Sequence, residues 1–131
     1  MELETVMRLD KKVKALEGRL ATLRDAQQNL VPVMDGLPKS RGRGTSRLEE
    51  MATQILTLEE ELNAVKTEQV EAAVDLSLEI CERVPYPAVR ILLARYIGCQ
   101  KFKQIIASEN YSEPHVYRLH ADGVKAFKAA S

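Results

Sequence analysis

Aromatic residues and cysteines are scarce in this sequence. Phe, Tyr and Trp together make up 5% of the 131 residues, and Trp is missing. Aromatic side chains supply much of the bulk of a thick core, so their scarcity favours long helices joined along thin apolar seams. The two cysteines, Cys81 and Cys99, form no CxxC motif and have no His cluster beside them. We interpret them as reduced thiols of an intracellular protein.

Long hydrophobic runs and catalytic motifs are also missing. No apolar run approaches the length that spans a bilayer, and the acidic start, Met1-Glu2-Leu3-Glu4, is unlike a signal or transit peptide. The sequence has no Gly-rich phosphate loop, no Ser-His-Asp or Cys-His set and no metal-ligand spacing. We therefore expect a cytoplasmic protein with no membrane partner, no enzyme activity, no cofactor and no bound metal.

Charge of either sign is balanced over the whole chain but not along it. Lys plus Arg and Asp plus Glu each number 19, so the formal net charge is zero. Residues 1–84 contain 12 basic and 16 acidic side chains, a net of −4, whereas residues 85–131 contain 7 and 3, a net of +4. A neutral average taken alone argues against a nucleic-acid partner. The basic C-terminal segment removes that objection.

Two heptad repeats fill most of the first 83 residues. Apolar residues in a/d spacing predict two long helices with coiled-coil seams. The first seam consists of Val6, Leu9, Val13, Leu16, Leu20, Leu23 and Leu30, with Gln27 in the one polar place. The second consists of Leu48, Met51, Ile55, Leu58, Leu62, Val65, Gln69, Ala72 and Leu76.

Helix-breaking glycines and prolines separate the two heptad repeats and end the second one. Three glycines and two prolines between residues 31 and 46 predict a flexible basic loop. Ser46 and Glu49 fit a capping box that would start the second helix. The prolines at 85 and 87 end it near Arg83, because proline supplies no N–H and the residue before proline avoids the helical region.

The repeats can form a hairpin within one chain or a parallel dimer between two. Folding the chain about residue 39 brings every a position of one helix against a d position of the other. In this alignment the flanking charges form three attractive pairs and one repulsive pair. The pairs are Lys12 with Glu68, Arg19 with Glu61 and Asp10 with Lys66, and the repulsion is Glu17 with Glu59. A parallel dimer has the advantage of matching Gln27 and Gln69 with their copies. We favour the hairpin, with Arg41, Arg43 and Arg47 at its tip, and expect it to serve self-association or a protein partner.

The remainder predicts three short helices. Pro87 to Ile97 is the first, ended by Gly98, and Lys101 to Glu109 is the second. Asn110 and Tyr111 form a turn, and Ser112 can cap a third helix that runs to about Ala129. The predicted fold is thus all-α, with a two-helix coiled-coil region over residues 1–83 and a helix-turn-helix domain over residues 84–131.

The C-terminal segment also resembles a known family over residues 88–128. The matching residues are Arg95-Tyr96-Ile97, Phe102, Ile105 and the string Tyr111-Ser112-Glu113-x-His115-Val116-Tyr117-Arg118-Leu119-His120. They look like the sigma-factor region-four-like helix-turn-helix of phage and prophage transcriptional regulators of the ArpU/RinA type. The resemblance implies sequence-specific binding of double-stranded DNA in a bacterial host cell. A coiled-coil adaptor, or a sigma-like module that contacts RNA polymerase, is the alternative.

On that resemblance, a recognition helix over about residues 113–129 enters the major groove. Arg118 is the first candidate for reading a base, because a guanidinium can bind guanine O6 and N7 together. The other base-contact candidates are Tyr117, His115, Glu113 and Pro114. Phosphate contacts position a protein on the duplex but carry no information about base sequence. The candidates for these contacts are Lys101, Lys103, Lys125 and Ser112.

Four positions depart from the family's usual residues. Where this chain has Phe102, Ile106, Glu109 and Asn110, the family usually has Trp, a small Ala, Leu and Gly, respectively. Asn tolerates a left-handed turn, whereas Ile106 must push the recognition helix outward or be absorbed by a small neighbour, and Glu109 removes one core side chain. His120 faces partly inward, and we interpret it as a packing histidine, since no second metal ligand lies one turn away.

Overall fold

The computed structural model describes the backbone of residues 1–35 and 41–130, and the side chains of residues 1–29 and 47–130. These residues contain helices and no strand, which confirms the all-α prediction. The helices are α1 (Thr5–Asp35), α2 (Arg41–Arg83), α3 (Ala88–Leu92, continued by a π-helical turn, Leu93–Ile97), α4 (Phe102–Glu109) and α5 (Glu113–Ala129).

The chain forms two compact units. One comprises residues 11–67, and the other combines residues 1–10 with residues 68–131. The sequence placed its domain boundary at Val84, where the prolines interrupt the second heptad helix. In the structure, the first turns of α1 and the last four turns of α2 group with the three short helices instead, because their apolar residues share one core.

The unit of residues 11–67 is an antiparallel helical hairpin. Two ion pairs cross between α1 and α2, with Arg24 Nη2 2.6 Å from Glu59 Oε2 and Lys66 Nζ 3.5 Å from Glu17 Oε2. Glu17 and Glu59, predicted to repel each other, thus each pair with a cation of the opposite helix, and Lys66 pairs with Glu17 where the sequence predicted Asp10. Each carboxylate meets a cation about one heptad further along. Because all four side chains are about half exposed, each pair stabilises the hairpin by at most about 1 kcal/mol.

Burial confirms the centre of the predicted seams. Seam side chains with less than a tenth of their surface exposed are Val6, Val13, Leu16, Leu20, Ile55, Leu58, Leu62, Val65, Ala72 and Leu76. The remaining seam positions whose side chains are described are partly buried, namely Leu9, Leu23, Gln27, Leu48, Met51 and Gln69. Leu30 lies outside the residues whose side chains are described, as do Arg41 and Arg43 of the predicted tip.

Both long helices extend into the segment that the sequence predicted as a loop. α1 continues to Asp35 and α2 begins at Arg41, five residues before the predicted capping residue Ser46. The prediction of a loop over residues 31–46 is therefore too long at both ends. Once a helix is nucleated, each further residue adds a backbone hydrogen bond, so helices propagate beyond the last seam position. Residues 36–40 lie outside the described chain.

The core of the second unit joins all five helices. Its fully buried side chains are Val6, Leu76, Ile80, Ile91, Leu92, Ile105 and Val116. Outside this core, Gln69 Nε2 donates to Asp10 Oδ1 at 3.3 Å and so connects α2 with α1. The sequence matched Gln69 with a polar partner only in the parallel dimer, and the structure gives its amide a partner within the same chain. At the end of α2, the guanidinium of Arg83 lies 4.8 Å from the centre of the Phe127 ring of α5.

The three short helices begin and end within one residue of their predicted bounds. The N–H of Gly98 donates to the Leu93 carbonyl at 3.0 Å, five residues back, and so closes the π-helical turn. Asn110 follows α4 with φ 58° and ψ 27°, the left-handed conformation predicted for it. Gly123 of α5 lies against α3, where an added Cβ would be 3.0 Å from Leu92 Cγ. The missing side chain lets the two helices approach closely.

Candidate nucleic-acid interface

α5 has one face in the core and the other on the surface. Its buried residues are Val116, Leu119, Gly123 and Phe127, which recur at helical spacing. Four of the five predicted base-contact residues, Glu113, Pro114, Tyr117 and Arg118, are exposed. The fifth, His115, is half-buried. The structure thus brings the base-contact candidates together on the first two turns of one helix.

Ring contacts connect α5 to the preceding turn and to α4. The His115 and Tyr111 rings meet edge to face at 4.7 Å, which accounts for the partial burial of the imidazole. Tyr117 lies 4.9 Å from the Phe102 ring, yet 46% of its surface remains exposed. Edge-to-face and tilted geometries are those that aromatic pairs prefer. These contacts restrict the orientation of two candidate side chains while leaving the Tyr117 surface accessible.

Ser112 occupies the N-cap position of α5 but does not cap it with its side chain. Its backbone is extended, with φ −68° and ψ 155°, and its carbonyl accepts from the Val116 N–H at 3.1 Å. No side-chain capping hydrogen bond forms, so the predicted capping role of its hydroxyl is wrong. Pro114 explains part of this, because a proline in the first turn has no N–H that needs a partner. Ser112 is exposed and remains a predicted phosphate contact.

The three predicted phosphate-contact lysines, Lys101, Lys103 and Lys125, are all exposed. Lys101 sits at the N-cap of α4, where its backbone N–H donates to Gln104 Oε1 at 2.9 Å. Asp122, one turn beyond Arg118, also lies on the exposed side of α5, and sequence reasoning did not weigh its charge. The candidate surface therefore carries both signs, with cations in excess.

A polar and aromatic cluster behind α5 confirms the packing role of His120. Its Nε2 lies 2.8 Å from the Tyr96 hydroxyl, and the Phe102 ring meets the imidazole edge to face at 5.0 Å. Burial, together with the positive charge of Arg95, lowers the pKa of His120 below its usual value. The same burial raises the pKa of Tyr96. Packing in this cluster therefore favours the neutral form of the imidazole.

Arg95 supports the turn that leads into α4. Its Nη1 donates to the Gln100 carbonyl at 2.9 Å, and its guanidinium lies 4.7 Å from the centre of the Phe102 ring. Sequence reasoning used Arg95 only as part of the family resemblance and missed this role. A cation seven residues before an aromatic residue, with a helix end between them, is no recognisable pattern in a sequence, so the contact could not be predicted.

Glu109 has a partner that the sequence did not predict. Arg90 of α3 donates to it through two nitrogens, Nε to Oε1 at 2.7 Å and Nη2 to Oε2 at 2.9 Å. The hydrogen bond and the charge of the guanidinium lower the pKa of Glu109, and the carboxylate in turn raises the pKa of Arg90. We predicted that Glu109 removes a core side chain. The two-point contact replaces that side chain with a connection between α3 and α4.

Glu109→Gln is expected to lower stability at pH 7, and this loss should shrink as the pH falls below about 4 and through the lowered pKa of Glu109. A carboxylate whose folded pKa is lowered contributes stability above its unfolded pKa of about 4.3, and that contribution is lost as pH falls through the folded pKa. Urea unfolding at pH 7 and pH 3 measures the gap between wild type and variant. Glu61→Gln, at an exposed carboxylate of the hairpin, is the control. A gap that stays constant with pH would assign Glu109 a packing role only.

The described part of the chain contains neither a cluster of metal ligands nor a helix that could span a membrane. No group of three or more His, Cys, Asp or Glu side chains there is placed to hold a metal ion. None of the described helices has the length and apolar character needed to cross a membrane.

Comparisons with known proteins add no relative. No protein-family model, no curated protein and no solved structure matches the chain.

Proposed function

We propose that the protein is a DNA-binding transcriptional regulator of the phage or prophage type, acting in the cytoplasm of a bacterial host. In this proposal α5 is the recognition helix and enters the major groove of double-stranded DNA. The helical hairpin serves self-association or contact with a protein partner.

The arrangement of α4, the turn and α5 carries the proposal. Asn110 ends α4 in a left-handed conformation, and three residues later α5 begins with its first two turns exposed. The opposite face of α5 packs on the core through Val116 and Leu119. A helix-turn-helix protein needs this division, because the second helix must present its N-terminal residues to base edges while its other face holds the domain together.

The exposed residues supply chemistry suited to reading a duplex. Arg118 has the fork geometry that binds guanine, and Glu113 can accept from cytosine N4. Tyr117 can donate to a phosphate or pack on a thymine methyl group, and His115 can do the same. Lys101, Lys103 and Lys125 then position the helix through phosphates.

Fluorescence anisotropy with a random-sequence duplex, titrated from ~50 to ~200 mM salt, tests the proposal. If the three lysines neutralise three phosphates, affinity should fall about 40-fold across that range. A variant with glutamine at all three positions should give a much flatter salt dependence. Selection from a random duplex pool should then recover a preferred sequence.

Absence of duplex binding at ~50 mM salt would overturn the proposal. It would favour the alternative in which the C-terminal helices bind protein, as an adaptor or as a sigma-like contact to RNA polymerase. Binding that survives the glutamine variant unchanged would place the DNA surface elsewhere on the chain.

A further inference from the structure

A row of large apolar side chains lies on the outer surface of α2. Val70, Val74 and Leu78 are 63%, 56% and 62% exposed. They are spaced by four residues, so they lie one above the other on a single helix face. We call these three residues the outer row.

The outer row is a second apolar face on a helix that already has one. Over the same turns, Ala72, Leu76 and Ile80 are buried in the core. A helix on the surface of a globular unit needs only one apolar stripe, with polar residues opposite. Contiguous exposed apolar residues mark an interaction site more often than isolated ones do.

The surroundings of the outer row are strongly acidic. Residues 68–82 contain five carboxylate side chains and no Lys or Arg. Of these, Glu71, Asp75 and Glu82 are exposed within one turn of the row. An apolar row bordered by carboxylates is complementary to an apolar row bordered by cations.

We propose that the outer row binds an amphipathic helix of a partner protein whose apolar side chains are flanked by Lys or Arg. The helix would lie along α2 with its apolar residues on Val70, Val74 and Leu78 and its cations beside the carboxylates. A second copy of this chain fits the row less well, since it would bring the same five carboxylates, and the cations that flank them, Lys66 and Arg83, already pair with Glu17 and Glu79.

Binding of two synthetic helical peptides to the full chain tests the proposal. Both carry leucines at i, i+3, i+4 spacing, and they differ in having lysines or glutamates beside them. The lysine peptide should bind, and the glutamate peptide should not. The double variant Val74→Ser/Leu78→Ser should bind the lysine peptide about tenfold or more weakly, because the apolar contact is lost.

Leu56→Ser is the matched control. Leu56 lies on α2 with 58% exposure but outside the outer row, so its replacement should leave peptide binding unchanged. Circular dichroism of each variant checks that helix content is retained.

Three results would overturn the proposal. Equal binding of both peptides removes the role of charge, and lysine-peptide binding that the double serine variant retains removes the role of the row. Light scattering that shows a wild-type dimer and a monomeric double serine variant would assign the row to a second copy of the chain.

Discussion

Ile105→Ala is expected to lower the free energy of unfolding by about 2–5 kcal/mol. Ile105 lies on α4 with none of its surface exposed, within the core that also holds Ile91 and Val116. Truncation removes apolar atoms from a close-packed site and leaves a cavity that the surrounding helices fill only in part. Urea unfolding followed by circular dichroism measures the loss as a lower midpoint with an unchanged slope.

Ile106→Ala is the control for this prediction. Ile106 has the same side chain one position further along α4 but is only half-buried. Its truncation should cost less than half as much, since it leaves little enclosed volume. The partial exposure also shows that Ile106 packs at the edge of the core and not deep within it. Equal losses from the two variants would contradict the orientation of α4.

Arg118→Ala is expected to relax discrimination at one base pair by about 1–3 kcal/mol, or roughly 5- to 150-fold. This prediction depends on the proposed function. Arg118 is exposed on the second turn of α5, the part of a recognition helix that reaches base edges. Affinity for a duplex selected by the wild type, compared with single-base variants of that duplex, measures the change.

Lys125→Ala provides the contrast on the same helix. Lys125 is also exposed but lies two turns further from the N-terminus of α5. Its loss should weaken binding to all sequences alike and reduce the salt slope by about one. If both variants weaken every sequence equally, Arg118 contacts phosphate and another residue reads the bases.

Local signals explain why the three short helices were predictable. Pro87, Gly98 and Asn110 are residue types that begin or end helices, and they lie at the observed helix boundaries. The spacing of the apolar residues in α5 identifies the face that is buried. Exposure of Tyr117 and Arg118 follows from that spacing alone. This part of the candidate site could therefore be obtained from the sequence.

Contacts between distant residues explain what could not be predicted. The bond from Arg90 to Glu109 joins residues 19 positions apart on different helices, and neither residue carries a pattern that names the other. Tyr96 and His120 are likewise 24 positions apart. The long helices pose a different difficulty, because heptad spacing leaves several pairings of their flanking charges nearly equal in energy. In the structure Glu17 forms an ion pair with Lys66, a pairing that the sequence did not predict.

The hydrogen bond between Gln69 and Asp10 favours one alignment of the two long helices. Heptad seams alone are degenerate, because a slip of seven residues again places apolar side chains against apolar side chains. Such a slip would separate the Gln69 amide from Asp10 and leave a half-buried polar group without this partner. A polar seam residue thus loses some apolar contact and in return disfavours the neighbouring alignments of α1 and α2.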